Sequence, residues 1–317
     1  MEIHLLFVFI IIVLQFVVVN CQYIVADKAA LVVAVAAWIA DESAATATYG
    51  IINTWDVSGI TNMALLFKDK TTFNSDISGW NVSVVKSMEY MFHGASVFNG
   101  DIGIWNVHSV TAMKGMFHSA SAFNGDISGW DVSSVANMQH MFYQAPVFNS
   151  DISGWDVSSV TNMYAMFYPA YAFNSDISNW NVSSVTTMAD MFHTADSFNS
   201  DISHWDVGAV TTMSSMFQGA AAFSQQLCWN VTGKDVTDMF TGTNGASTIV
   251  CGPSSAPSTQ PTCQPTSPIT QPTSQPTSQP TVNTRFKKRF RDRTRRERSF
   301  IKSIKHTIQP PGYNEDL

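Results

Sequence analysis

From Phe73 to Ile77 apolar and polar side chains alternate, with Phe73, Ser75 and Ile77 on one face and Asn74 and Asp76 on the other. This is the two-residue period of a strand with one buried face. Past the turn residues Ser78 and Gly79, Trp80 and Val82 lead into Val85, Met88, Met91 and Phe92, spaced three and four apart or adjacent. That spacing predicts a short helix or helical turn with one buried stripe. Ala95 leaves room before Phe98 opens the same pattern again. Trp55, Trp80, Trp105, Trp130, Trp155, Trp180 and Trp205 stand 25 residues apart, and Trp229 follows after 24. A tandem period of this size marks a solenoid, in which each unit buries its apolar face against its neighbours. The expected fold is an α/β repeat with one short helical turn per 25-residue coil. Its Phe-to-Ile strands, stacked about 4.8 Å apart, form a parallel β-sheet along the stack.

Two Met ladders, Met88 to Met213 and Met91 to Met216, recur with every coil. Thioethers fill irregular gaps in apolar cores, so both ladders read as core, as does the Trp ladder, and no cofactor is expected. Residues 27–41 start on Asp27, a good N-cap residue, and are apolar almost all round. They predict a helix lying over the open first coil, since the ends of such stacks need covers. At the other end the register degrades from Phe223 to Trp229, and Met239-Phe240 is the last echo.

Leu5–Val19 is apolar apart from Gln15, but its fifteen residues fall short of the roughly 20 that span a bilayer. The segment reads as a secretory signal peptide cleaved after Cys21, with an uncleaved anchor as the alternative. A lipid anchor on Cys21 is disfavoured by Asn20, where a small residue belongs. The organisation is then a signal at 1–21, a helical cap at 22–49, repeats at 50–252, a Ser/Thr/Pro stalk at 253–281 and a basic tail at 282–317. The stalk cannot pack a core and favours extended polyproline II. Its 29 residues could span roughly 90 Å.

Charge divides the chain further. Residues 282–317 hold eleven Lys/Arg against four acids, a net of +7, so with −7 overall residues 1–281 carry −14. An acidic body repels polyanions, which argues against nucleic acid as a partner. The tail is a candidate for contact with anionic wall polymers or lipid headgroups, the alternative being a solvated end. Of the four cysteines, a Cys228–Cys251 bridge closing the end of the repeats is the economical pairing, with others open.

Candidate chemistry lies on the coil surface. Asp76, Asp101, Asp126, Asp151, Asp176 and Asp201 form a ladder, each beside an Asn. Charges about 5 Å apart repel by roughly 0.8 kcal/mol per pair in water, so something must offset them. The favoured reading is turn or cross-coil hydrogen bonds. Calcium bridging the carboxylates is the alternative. After each Met-Phe pair come His93, His118, Tyr143, Tyr168 and His193, then Gln218. This column is a half-exposed edge or a ring-lined strip for sugars or a protein partner; a transition-metal site lacks a third ligand. Asn81, Asn181 and Asn230 head sequons for N-glycosylation. No nucleophile elbow, phosphate loop or zinc-hydrolase motif occurs, and no catalytic residue is assigned.

Phe148-Asn-Ser-Asp-Ile-Ser-Gly-Trp-Asp-Val-Ser-Ser-Val-Thr-Asn-Met-Tyr-Ala-Met-Phe167 closely resembles the repeat of BspA-like surface proteins, an atypical leucine-rich-repeat class of bacterial surfaces and microbial eukaryotes. The resemblance covers about residues 50–242. The lead-in from Ala37 to Gly50 is similar to that of algal and oomycete members. It implies a leucine-rich-repeat-like solenoid and a role in adhesion or surface display, although Phe, Ile and Met stand where Leu is usual. The expectation is a monomeric, non-enzymatic, secreted or cell-surface protein that binds surface glycans or proteins. A structural wall or matrix scaffold is the alternative, and a glycan-cleaving enzyme a distant one.

Overall fold

The computed structural model describes residues 22–243. The signal segment, Cys251, the stalk and the basic tail lie outside the described residues.

Two helices precede the coils. Asp27 caps α1 (Lys28–Ala40), its carboxylate accepting the Ala30 N–H at 2.8 Å. Asp41 follows α1 and caps α2 (Glu42–Tyr49) through Ala44 N–H at 3.0 Å. The second helix was not expected, since its Ala- and Thr-rich sequence carries no apolar stripe. Leu31, Ala34, Val35 and Trp38 form the buried face of α1. The Trp38 indole meets Trp55 edge-on at 6.0 Å and donates to Ser75 Oγ at 2.9 Å. Lys28 Nζ reaches Asn62 Oδ1 at 2.9 Å. The helix therefore crosses the first coil from its Asn62 side to its Ser75 side.

The strand and the helical turn expected in each coil do not form, so the parallel β-sheet solenoid is not the fold. Among the described residues there is no strand, and a single 3-10 turn, Ile52–Thr54, is the only helical element besides α1 and α2. Parallel pairing is reduced to single-residue bridges, Asn62 to Ser87 to Ala112 and onward to Thr212 and Asp235. These bridges sit just before the first Met of each coil, away from the expected strand.

Each coil is instead a run of tight turns. The carbonyls of Ile77, Val82, Met88, Tyr90, Phe92 and Ala95 accept from the N–H groups of Trp80, Val85, Met91, His93, Ala95 and Phe98, three residues on. Between these closures, the intervening N–H groups point along the stack. Met88, Tyr90, Phe92 and Gly94 donate to the carbonyls of Ala112, Lys114, Met116 and His118 at 2.8–3.0 Å. One set of residues closes the coil and the other joins it to the next. In every coil but that of Ala165, two positions take left-handed backbone, as at Tyr90 (φ 55°) and Gly94 (φ 69°), or Ser215 (φ 53°) and Gly219 (φ 70°). Pro169 occupies the Gly94 position in its coil, and proline has no N–H for that rung.

The expected strand fails for a related reason. Asn74 Oδ1 accepts the Asn99 N–H at 2.8 Å, and Asn99, Asn124, Asn149 and Asn174 each accept in turn from the next Asn at 2.8–2.9 Å. A side-chain amide thus takes the place that a neighbouring carbonyl holds in a sheet. Inside, each coil Trp from Trp80 to Trp205 donates its indole N–H to an Ile carbonyl of the preceding coil, Trp155 to Ile127 at 3.1 Å and Trp180 to Ile152 at 3.1 Å. Phe92 stacks on Phe98 of its own coil at 3.9 Å and on Phe117 of the next at 5.6 Å. Trp, Phe, Ile, Val and Met form one continuous buried cluster.

Two stability outcomes follow from this packing. Trp155→Ala and Phe148→Ala should each cost about 3–5 kcal/mol in denaturant titration, and removing a whole 25-residue unit should cost less. Ser215→Gly should stabilise by about 1 kcal/mol, because it relieves a left-handed residue that bears a side chain. Equal or opposite effects in those titrations would contradict the turn-built coil.

Candidate binding face

The segment carrying the rungs also presents the ring column. His93 meets His118 at 4.4 Å with planes near perpendicular, and His118 stacks on Tyr143 at 4.6 Å. Tyr143 turns perpendicular to Tyr168 at 5.2 Å, which stacks on His193 at 4.2 Å. The sequence-chosen residues therefore form one unbroken file of half-buried rings whose orientation changes twice. Such a file is not a flat platform; it offers ring faces and polar ring edges alternately.

A second column, missed in the sequence, adjoins the first. Tyr90 lies 5.8 Å from His93, and His140 lies 6.0 Å from His118, 5.2 Å from Tyr143 and 5.1 Å from Tyr164. Lys114 Nζ stands 5.9 Å from the centre of the Tyr90 ring. These positions precede the second Met of the pair or follow the first, and their varied residue types gave no repeat signal.

Burial controls the histidines. His118 is pushed down to about 4, first by burial and then by the neighbouring His93 and His140. Burial also lowers His93, opposed by Asp69, and lowers His140, with Lys114 acting in the same direction. Ser119 Oγ donates to Gln144 Oε1 and lies 2.9 Å from His118 Nδ1. The hydroxyl proton being used, Nδ1 carries the imidazole proton and Nε2 is left as an acceptor. His193 Nδ1 pairs with Asp190 Oδ1 at 3.0 Å.

The Asp ladder lies in a different turn of the coil. Asp126 and Asp151 each accept from a backbone N–H two residues on at 3.0 Å and from the same Ser hydroxyl at 2.7 Å. Asp176 and Asp201 accept the Ser178 and Ser203 N–H at 3.0 Å, and Asp101 accepts Gly103 N–H at 3.3 Å. Asp76 accepts Ser78 N–H and, on its other oxygen, Asn53 Nδ2 at 2.9 Å. The serine bonds hold Asp126, Asp151, Asp176 and Asp201 below the usual carboxylate range, and repulsion from a neighbouring Asp is a smaller, opposing effect at Asp126, Asp176 and Asp201. Among the described residues no three His, Cys, Asp or Glu side chains are grouped to hold a metal ion.

Asn81, Asn181 and Asn230 are exposed. Asn81 Oδ1 accepts the Ser83 N–H and hydroxyl, Asn181 does the same with Ser183, and Asn230 accepts Thr232 N–H. Of the candidate disulfide pair, Cys228 stands in the last coil and Cys251 lies outside the described residues.

Stacked 25-residue coils with one shared core define a tandem-repeat protein. Residues 40–155, and again 144–250, match the family described as "Mycoplasma protein of unknown function, DUF285". The matches together cover more than half of the 317 residues, and the chain belongs to this repeat family. No curated protein and no solved structure matches it.

Two measurements test the site's electrostatics. Because His118, His93 and His140 are held below the unfolded value of about 6.5, the unfolded chain binds more protons as pH falls. Stability should be fully present above pH 6.5 and decline as pH falls towards the His118 value of about 4. His118→Asn should flatten that part of a melting-temperature profile. For the Asp ladder, millimolar Ca²⁺ should leave the melting temperature unchanged, since the carboxylates already have partners. A calcium-dependent rise that Asp126→Asn abolishes would overturn this.

Proposed function

We propose that this chain is a non-enzymatic, surface-displayed or secreted repeat protein that holds a partner on its ring-lined face, in the manner of the BspA-like class. The observation that carries the reading is the unbroken file from His93 to His193, with Tyr90, His140 and Tyr164 beside it. Rings and hydroxyls that are half exposed yet fixed by their neighbours lose little entropy on binding. Imidazole nitrogens and phenol hydroxyls on this face supply both donors and acceptors, which suits the hydroxyl-rich surface of a glycan or the polar rim of a protein partner. Family membership supports a surface setting. No helix among the described residues is long and apolar enough to cross a membrane.

A glycan and surface-protein array probed with the secreted chain tests the reading. Selective binding is expected, and the combined His118→Ser, Tyr143→Ser and Tyr168→Ser variant should weaken it at least about tenfold, or about 1.4 kcal/mol. Undiminished binding by a folded variant would remove the ring face from the proposal. Self-assembly without partner binding would favour the scaffold, and release of product from a polysaccharide would favour the enzyme.

A further inference from the structure

The rungs in the Met-to-Gly segment of each coil all run one way, and this leaves the two ends of the stack unlike each other along that segment. Thr212 pairs with Asp235 in the last coil, so Val236, Asp238, Phe240 and Gly242 stand where Met213, Ser215, Phe217 and Gly219 stand one coil earlier. Those earlier residues donate to the carbonyls of Asp235, Thr237, Met239 and Thr241 at 2.7–2.9 Å. Among the described residues the N–H groups of Val236, Asp238, Phe240 and Gly242 meet no acceptor, while Met239, Thr241 and Thr243 close their own turns. Asp238 (φ 55°) and Gly242 (φ 82°) already hold the left-handed backbone that aims such donors along the stack. Phe240 stacks on Phe217 at 5.6 Å. Beside it is a concavity of about 380 Å³ lined by Val236, Asp238, Met239, Phe240 and Thr241.

We propose that this end is a docking edge for one further extended segment, and that its occupant is the chain's own continuation, residues 244–252. Four donors spaced every second residue call for a backbone that offers carbonyls at the same interval, as in strand addition to an open edge. Two such ends cannot pair with each other, because donors would face donors. Head-to-tail addition of a second copy is obstructed at the other end. There α1 lies across the first coil, and a helix about 10–12 Å across holds a second stack well beyond the 5–6 Å that separates neighbouring Phe rings here. The chain leaves Thr243 at the open edge itself. Six residues on come Ile249 and Val250, within reach of an extended backbone at about 3.3 Å per residue, with aliphatic side chains suited to the concavity. Cys251 follows at once, and Cys228 belongs to the coil being covered.

Amide hydrogen exchange on the full secreted chain tests this. The amides of Val236, Asp238, Phe240 and Gly242 should be protected to within about tenfold of Ser215 and Phe217. Ending the chain at Thr243 should bring them to exposed rates while Ser215 and Phe217 stay protected, which also shows that the stack remains folded. If that truncation does not fold, Ile249→Asp with Val250→Asp in the full chain should give the same selective loss. Unprotected amides in the full chain would overturn the proposal. So would protection that rises with protein concentration, which would identify a second copy as the occupant, or protection that survives both variants.

Discussion

The structure depends on a division of labour among backbone N–H groups. In the Met-to-Ala segment of each coil, one set closes three-residue turns and the other bonds to the coil ahead. Neither task can be dropped: without the closures the coil does not bend, and without the rungs its buried polar groups lack partners. The cost is left-handed backbone at residues such as Tyr90, His140 and Ala165, roughly 1–2 kcal/mol at each non-glycine position. The stack bears it because each such residue is held between two coils of the same conformation. Trp indole bonds to Ile carbonyls and the Asn chain along the Phe-Asn column repeat the same logic with side chains.

The period, the core and the capping helix were legible in the sequence. Trp, Phe and Met positions recur from Trp55 to Met216 with one exchange, Leu66 for the second Met of the first coil, and every one of them lies in the shared core. The local backbone was not legible, and the reason is specific. Three-residue turns in series place apolar side chains at the same three- and four-residue intervals as a helix, so Val85, Met88, Met91 and Phe92 fit both. The distinguishing signal was Gly94, Gly115 and Gly219, poor helix residues at positions that need left-handed backbone. At Phe73–Ile77 the alternation was real, but alternation shows only which side chains face inward. It does not show that Asn74 and its equivalents, rather than carbonyls, would receive the neighbouring N–H.

Candidate surface residues fall into two groups with different origins. The Asp, the sequon Asn and the chain of Asn beside the Asp all complete turns or rungs, so their repetition follows from folding alone. The ring column does not. Lys68, His93, His118, Tyr143, Tyr168, His193 and Gln218 occupy one position in successive coils, and nothing in the turn geometry asks for a ring there. The neighbouring column from Tyr90 through His140 to Asp190 varies still more. Variation on an otherwise uniform scaffold is where recognition can be encoded, and a pattern search tuned to regularity passes over it.

The direction of the rungs has a mechanical consequence. They run along the stacking axis, so a pull on the two ends loads them in series, and each interface bears the full force with only its own few hydrogen bonds and ring contacts. Such an assembly gives way one coil at a time, each releasing 25 residues, or about 80–90 Å of extended chain. Under load the stack would in this way lengthen in steps and dissipate work, and the ring face on the remaining coils would stay intact.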